Sequence, residues 1–326
     1  MTTPSDVRPV QIGPGSTPHA PLGLGGTTFG PDQWSGREDA NLLASMETSL
    51  DCGITHFDTA GGYGDGYSER LIGRFLAASP GRREHLYLAS KANLDTISAQ
   101  AMLDAIDASR ARLNVDRIDL FYIHWPRTGK DLRPLMEGLE TARQQGKIRA
   151  VGVSNFSVEQ MEQVAQVGRI DAHQLGYSLL WRFDERDILP YCREHQIAVV
   201  TYSSLAHGIL TGKFGQHPQI VEGDQRRKIL LFRAAVWPDV YEAVEAFKTI
   251  AQSSGRSLIH LAIRWLLHQP GVTAVLVSAR DARQAAANAQ ALEGDIPASV
   301  FEALTAVSDQ VVQKIPDEGN PFGYHP

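Results

Sequence analysis

Four residues able to accept or release a proton stand at or just past the C-terminal ends of short apolar runs: Asp58, Tyr63, Lys91 and His124. The runs cover 54–57, 86–90 and 118–123. In a parallel α/β architecture that edge of the sheet is where chemistry is done. A carboxylate, a phenol, an amine and an imidazole gathered there, with no cluster of metal-ligand spacing, suit proton delivery to a carbonyl oxygen. Hydride addition to a carbonyl leaves an alkoxide that needs a proton, and Tyr63 is a suitable donor if its pKa falls from ~10 towards neutrality, at ~1.4 kcal/mol per unit. An ammonium ~4 Å away, at an effective dielectric near 20, contributes ~4 kcal/mol, so Lys91 can supply about three units. Asp58 would keep that amine charged, and His124, as a neutral imidazole, would donate to the carbonyl oxygen and orient it. Taken singly, the Asp and Lys could be a structural ion pair, His124 a hydrogen-bonded core histidine and Tyr63 a loop tyrosine. Their convergence on one rim favours a site.

Elements that could position these groups recur regularly. β-rich runs lie near 21–26, 54–57, 86–90, 118–123, 148–153, 172–175, 197–201 and 273–277, with helical patterns between them. Met102, Ile106, Ser109 and Leu113 follow a 3.6 period behind Ser98 as N-cap, and Ser157 with Gln160 forms a capping box for a helix over 158–167. Eight strands alternating with helices, at roughly 25–33 residues per unit over the first seven, predict a single (β/α)8 barrel domain spanning 1–326. A doubly wound sheet would want a glycine fingerprint after strand one, but Gly23-Leu24-Gly25-Gly26-Thr27-Thr28 has Thr28 where its last glycine belongs. If Lys91 faces the lumen, strand alternation requires Tyr87 and Ala89 to face it too, and Leu86 and Leu88 to face the helices. Residues 7–22 read as a hairpin turned by Gly13-Pro14-Gly15 that closes the barrel bottom. About 72 residues separate strands seven and eight, holding a charged, Gly-containing loop over 206–235 and helices over 238–253 and 257–268; a long loop on that face most often covers a ligand. A last helix is expected near 298–308.

The 326 residues are 43% hydrophobic and 21% charged, with a net charge of −6. No basic stripe marks a nucleic-acid binder; the cluster Arg226-Arg227-Lys228 reads as a solvated loop, with phosphate contact as the lesser reading. Cys52 and Cys192 make no disulfide framework and read as buried or inert thiols in helices. Neither a signal-peptide core nor an apolar stretch of ~18–20 residues is present, so a cytoplasmic protein without membrane contact is expected.

The order of motifs resembles the aldo-keto reductases: Gly53-Ile54-Thr55-His56-Phe57-Asp58-Thr59-Ala60, Tyr63-Gly64, Ser68-Glu69, Lys91, His124-Trp125, Ser154-Asn155, Tyr202-Ser203 and Gly208-Ile209-Leu210-Thr211-Gly212-Lys213. The likeness covers nearly the whole chain and is greatest to the bacterial branch with a long seventh loop, related to the potassium-channel β subunits. It implies Asp58, Tyr63, Lys91 and His124 as catalytic residues and a nicotinamide cofactor held by barrel loops. Ser154, Asn155 and Gln174 suit the carboxamide, and Tyr202 offers a ring for stacking. Backbone amides across 203–210 (Ser203, Leu205, Ala206, Gly208 and Leu210), with Lys213 nearby, suit the pyrophosphate. Gly26, Thr27 and Asp58 belong to the same implied cofactor surface. After strand eight, Ser278 and Arg280 precede a helix starting near Asp281, a favoured phosphate site. Arg280 there suggests the 2′-phosphate of NADP(H), and Gln284 and Asn288 suit ribose and adenine. NAD(H) stays open, because many relatives carry a Lys where this chain has Ser278, and a Glu where it has Ala287.

Trp34, Trp125 and Trp181 are candidates to line an apolar substrate mouth, each equally able to be packing, with Phe322 and Tyr324 of the tail reaching over it. The expected activity is NADP(H)-dependent reduction of aldehydes or ketones to alcohols, or the reverse oxidation of a sugar or alcohol. Two other readings are a nucleotide-binding regulatory subunit resembling the channel β subunits and a Schiff-base lyase using Lys91. The second is opposed by Asp58, which would keep the lysine protonated.

Overall fold

The computed structural model describes residues 7–30, 38–320 and 322–324. Eight parallel strands close on themselves in sequence order, with β1 paired to both β2 and β8. They are β1 (Leu22–Gly25), β2 (His56–Asp58), β3 (Tyr87–Ala92), β4 (Ile118–Ile123), β5 (Ile148–Ser154), β6 (Ala172–Gly176), β7 (Ala198–Tyr202) and β8 (Val272–Val277). The helices are α1 (Asp39–Asp51), α2 (Tyr67–Ala77), α3 (Ala99–Leu113), α4 (Arg133–Gln144), α5 (Val158–Ala165), α6 (Ile188–Glu194), α7 (Trp237–Ser253), α8 (Leu258–His268), α9 (Ala282–Ala289) and α10 (Ala298–Val312). The predicted (β/α)8 barrel is therefore the observed one.

Alternation along the strands separates two cores. Tyr87, Ala89, Leu120, Tyr122, Ala150, Ala172, Val200, Ala274 and Leu276 fill the lumen, while Leu86, Leu88, Phe121, Val151, Val199 and Val275 pack against the helices. Four lumen alanines make room for two large rings, and Gly152 lies so close to the Tyr122 ring that no Cβ fits. At the end where the strands begin, Ile12 is fully buried among the lumen residues and its carbonyl accepts from the Tyr87 hydroxyl at 2.9 Å. The expected hairpin is there a single bridged pair, Val10 with His19, and it does plug the barrel bottom.

The capping logic holds locally. Ser98 accepts from the Ala101 amide, and Ser157 and Gln160 form the full reciprocal box. The predicted helix over 158–167 stops earlier, at Ala165, whereas α10 runs to Val312, beyond the expected 308. Cys192 is the buried thiol of the two, in α6, whereas Cys52 caps the end of α1 and is exposed. Among the described residues, no helix is long and apolar enough to cross a membrane.

Candidate active site

The lumen residues at the strand ends form one buried ion pair. Asp58 closes β2 and Lys91 lies near the end of β3, and Lys91 Nζ donates to Asp58 Oδ1 at 2.5 Å with both side chains almost wholly buried. A second Nζ hydrogen goes to the Thr59 carbonyl at 3.0 Å, and the ammonium lies beside the Tyr63 ring, 5.2 Å from its centre. Asp58 Oδ2 accepts from Gln174 Nε2 at 2.9 Å. Every polar atom of the pair is thus engaged, the condition under which a buried ion pair is tolerated. Burial pulls Lys91 down, but Asp58 and Tyr63 outweigh it and its pKa is raised, so the amine stays charged.

Tyr63 comes from the loop between β2 and α2. That loop is held by Ser68, whose hydroxyl donates to the Gly26 carbonyl and accepts from Thr59, and by Glu69, which accepts from Ser90 Oγ and Arg112 Nε. A side chain on Gly26 would collide with Ser68 Oγ at 2.8 Å, so glycine is required there. The Tyr63 ring has Lys91 Nζ 5.2 Å from its centre and meets His124 edge-on at 5.7 Å. The phenol's pKa is not depressed as the sequence suggested. Burial raises it, and Lys91, partly opposed by Asp58, does not overcome that. His124, partly buried and beside the cationic Lys91, is held well below its ordinary value, desolvation being the larger cause. It is a neutral imidazole at pH 7.

The loops after β5 and β7 supply a second zone. Asn155 sits in the left-handed region at φ 62°, with Ser203, Ala206 and His207 also at positive φ. Such conformations in residues other than glycine are uncommon and concentrate at functional sites. Asn155 Nδ2 donates to the His124 carbonyl and to Ser154 Oγ, and its Oδ1 accepts from the Tyr202 hydroxyl at 2.6 Å. In the β7 loop the amides of Ala206, Gly208 and Leu210 are spent on carbonyls of Ser203 and Leu205. They are not the open row of donors that the sequence suggested. Gln174, expected at a carboxamide, gives its amide nitrogen to Asp58.

Positive charge gathers beside these loops. Burial lowers the pKa of Lys213, and the guanidinium groups of Arg226 and Arg280 lower it further. Arg226 Nε donates to the His207 carbonyl at 3.0 Å and its head pairs with Asp224. The reading of Arg226 as a solvated loop charge is therefore wrong. Sequence alone could not bring it to Lys213, because their meeting depends on the irregular loop between them, which sets both cations at the Phe214 ring. Past β8, Asp281 caps α9 by accepting from the Gln284 amide. Gln284 Oε1 accepts from the Arg280 amide, Asn288 reaches the Ser278 carbonyl, and Ser278 Oγ reaches the Gly25 carbonyl. These polar residues shape the turn that presents Arg280.

Of the three tryptophans, Trp125 stands at the mouth, half-buried and tilted on His124 at 5.8 Å. Trp181 is buried and packs edge-on against Phe183 at 5.0 Å, so it belongs to the core and not to the mouth. Trp34 lies outside the described residues.

A carboxylate-held ammonium against a phenol, a neutral imidazole facing it, and a cationic loop nearby form a constellation that comparison with known proteins identifies. The aldo/keto reductase family profile matches residues 21–309. This chain belongs to the aldo/keto reductase family. It is 34% identical over 268 residues to the aldo-keto reductase YhdN of Bacillus subtilis, covering 79% of this chain and 81% of that protein. It is 30% identical over 288 residues to the L-glyceraldehyde 3-phosphate reductase of Escherichia coli K12, covering 79% and 82%. The glycerol dehydrogenase structure from Gluconobacter oxydans superposes with a TM-score of 0.86 at 30% identity, covering 95% of this aldo-keto reductase and 97% of that chain.

Proposed function

We propose that this aldo-keto reductase reduces an aldehyde or ketone to an alcohol, and runs the reverse, using NADP(H), with Tyr63 as proton donor and residues 1–326 acting as one barrel domain. The single observation that carries the reading is the buried Lys91–Asp58 pair beside the Tyr63 ring, with neutral His124 edge-on to the same ring. The residues present suit the cofactor: Asn155 offers a carboxamide partner, and Lys213, Arg226 and Arg280 cluster as a polyanion would require. When bound, reduced NADP supplies a hydride to the carbonyl carbon.

The chain's own residues manage the oxygen. Tyr63, protonated at rest, gives its proton to the developing alkoxide, and Lys91 stabilises the phenolate left behind. Asp58 holds Lys91 charged and fixes its direction. His124 donates a hydrogen bond to the carbonyl oxygen without competing as an acid, because its pKa is too low for it to be cationic. Small carbonyl compounds fit a mouth bordered by His124 and Trp125, and the relatives named above support that substrate class. A cytoplasmic setting, where NADPH is abundant, accords with this reading. The test is Tyr63→Phe: NADPH binding should persist while turnover of a panel of aldehydes and ketones falls by orders of magnitude. Parent-level turnover would remove Tyr63 from the role.

A further inference from the structure

The C-terminal tail lies against the face assigned above to the nicotinamide. Beyond α10 it is tethered by two exposed ion pairs, Asp317 with Arg186 at 2.7 Å and Glu318 with Arg233 at 2.8 Å. It then folds into a tight turn: the Asn320 amide donates to the Tyr324 carbonyl at 2.7 Å, and Asn320 Oδ1 accepts from the amides of Phe322 and Tyr324. That turn delivers two contacts into the site. Asn320 Nδ2 donates to Asn155 Oδ1 at 3.2 Å. The Phe322 ring faces Tyr202 at 6.1 Å and 25°, and meets His207 edge-on at 5.4 Å. Tyr324 completes the cover, edge-on to Trp125 at 5.2 Å with its hydroxyl on the Pro126 carbonyl.

Two independent counts show that these contacts exclude another ligand. A side-chain amide has two donor and two acceptor positions. Those of Asn155 are filled by the His124 carbonyl, Ser154 Oγ, the Tyr202 hydroxyl and Asn320. A carboxamide that donates to Asn155 Oδ1 must therefore remove a present partner, and Asn320 is the longer bond and the one carried by the tail. Packed rings also need about 3.5 Å per interface, so a third ring between Tyr202 and Phe322 would need about 7 Å, more than the 6.1 Å available. Phe322 is meanwhile 50% exposed, and besides these rings it meets Trp125 edge-on at 6.1 Å.

We propose that Asn320 and Phe322 are a built-in occupant of the nicotinamide position: the tail and the nicotinamide exclude one another, so cofactor entry expels the tail and the tail's return hastens cofactor release. The inference rests on the assignment of Asn155 and Tyr202 to the nicotinamide. The tether makes the tail a local competitor at high effective concentration. Each contact is worth a few-fold, so losing both should tighten NADPH binding about ten-fold.

The experiment titrates the full-length protein, Asn320→Ala, and Asn320→Ala/Phe322→Ala with NADPH by fluorescence, and with adenosine 2′,5′-bisphosphate, which lacks the nicotinamide, by calorimetry. NADPH should bind the double variant about ten-fold tighter, with slower release in stopped flow, the single variant falling between, while the bisphosphate binds all three alike. Unchanged or weaker NADPH binding by the variants overturns the proposal, since the tail would then be inert or part of the cofactor-bound pocket. Equal tightening of both ligands overturns it too, because the gain would not be confined to the nicotinamide. If the parent binds neither ligand, the dinucleotide assignment itself fails and takes this proposal with it.

Discussion

Replacing Lys91 by methionine separates the charge's chemical role from its structural one. In the single variant Lys91→Met, Asp58 stays buried, keeps its bond from Gln174, and loses its cation at 2.5 Å. Breaking a buried pair from one side costs about 3–5 kcal/mol, because one charge is left uncompensated. The phenolate formed at Tyr63 also loses the ammonium beside its ring, worth ~4 kcal/mol for a separation of about 4 Å at an effective dielectric near 20. Asp58 opposes that ammonium, so the net loss in kcat/KM should be about 100- to 1000-fold. The double variant Asp58→Asn/Lys91→Met removes both charges while asparagine still accepts from Gln174. Replacing a whole buried pair is often neutral, so thermal and urea stability should return close to the parent. Activity should not return. Steady-state oxidation of NADPH with an aldehyde, beside unfolding curves for the three proteins, reads both quantities. Double-variant activity within ten-fold of the parent would refute the claim that Lys91 stabilises the phenolate.

Further expectations concern pH and the cofactor. Because the Tyr63 pKa is raised, carbonyl reduction should be level through neutrality and decline only above pH ~10, where the donor is lost. A decline centred near pH 7 would show a depressed phenol instead. Alcohol oxidation needs the phenolate and should rise over the same alkaline range. Buried His173 accepts from the Phe156 amide, and burial lowers its pKa to about 3, against ~6.5 unfolded. Below pH ~6.5 the unfolded chain takes up a proton that the folded chain refuses, so stability is lost as pH falls towards 3, by about 2 kcal/mol at pH 5. Buried His56 acts in the same direction. Urea midpoints that match at pH 7 and pH 5 would contradict this. Arg226→Ala should raise the KM for NADPH about ten-fold with little change in kcat, measured at saturating aldehyde; an unchanged KM would put Arg226 outside the phosphate surface.

The barrel was legible because each strand is a brief apolar run whose far end changes abruptly to a polar group, as at Phe57–Asp58 and Ile123–His124. Alternation then settled which side chains share the lumen, and Lys91 falls with Tyr87 and Ala89 as period two demands. Caps were legible for the same local reason, as at Ser98 and Ser157. What escaped the sequence depends on the path of irregular chain. Arg226 reaches Lys213 through an irregular loop, its guanidinium held on the His207 carbonyl, and Asn320 reaches Asn155 across about half the chain's length. Trp181 looked like a mouth residue from its type, but its place against Phe183 is decided by packing that no short motif records.

The direction of the Tyr63 shift carries the more general lesson. Reasoning from one ammonium predicts a depressed phenol, but Lys91 comes with Asp58 at 2.5 Å, and the pair is closer to a dipole than to a cation. A dipole's field falls off faster than a charge's, so burial of the phenol prevails and Tyr63 rests protonated. That is no handicap for reduction, which needs the proton present when the carbonyl arrives. What lowers the barrier is stabilisation that grows as negative charge moves onto the phenol oxygen. An ammonium already aimed by Asp58 and the Thr59 carbonyl gives that without reorganising. A free cation in the same place would lower the resting pKa further, but it would spend donors as phenolate before substrate bound. The buried carboxylate therefore sets a balance between holding the proton and stabilising its departure, which the double variant tests from the side of activity and the pH profile from the side of the ground state.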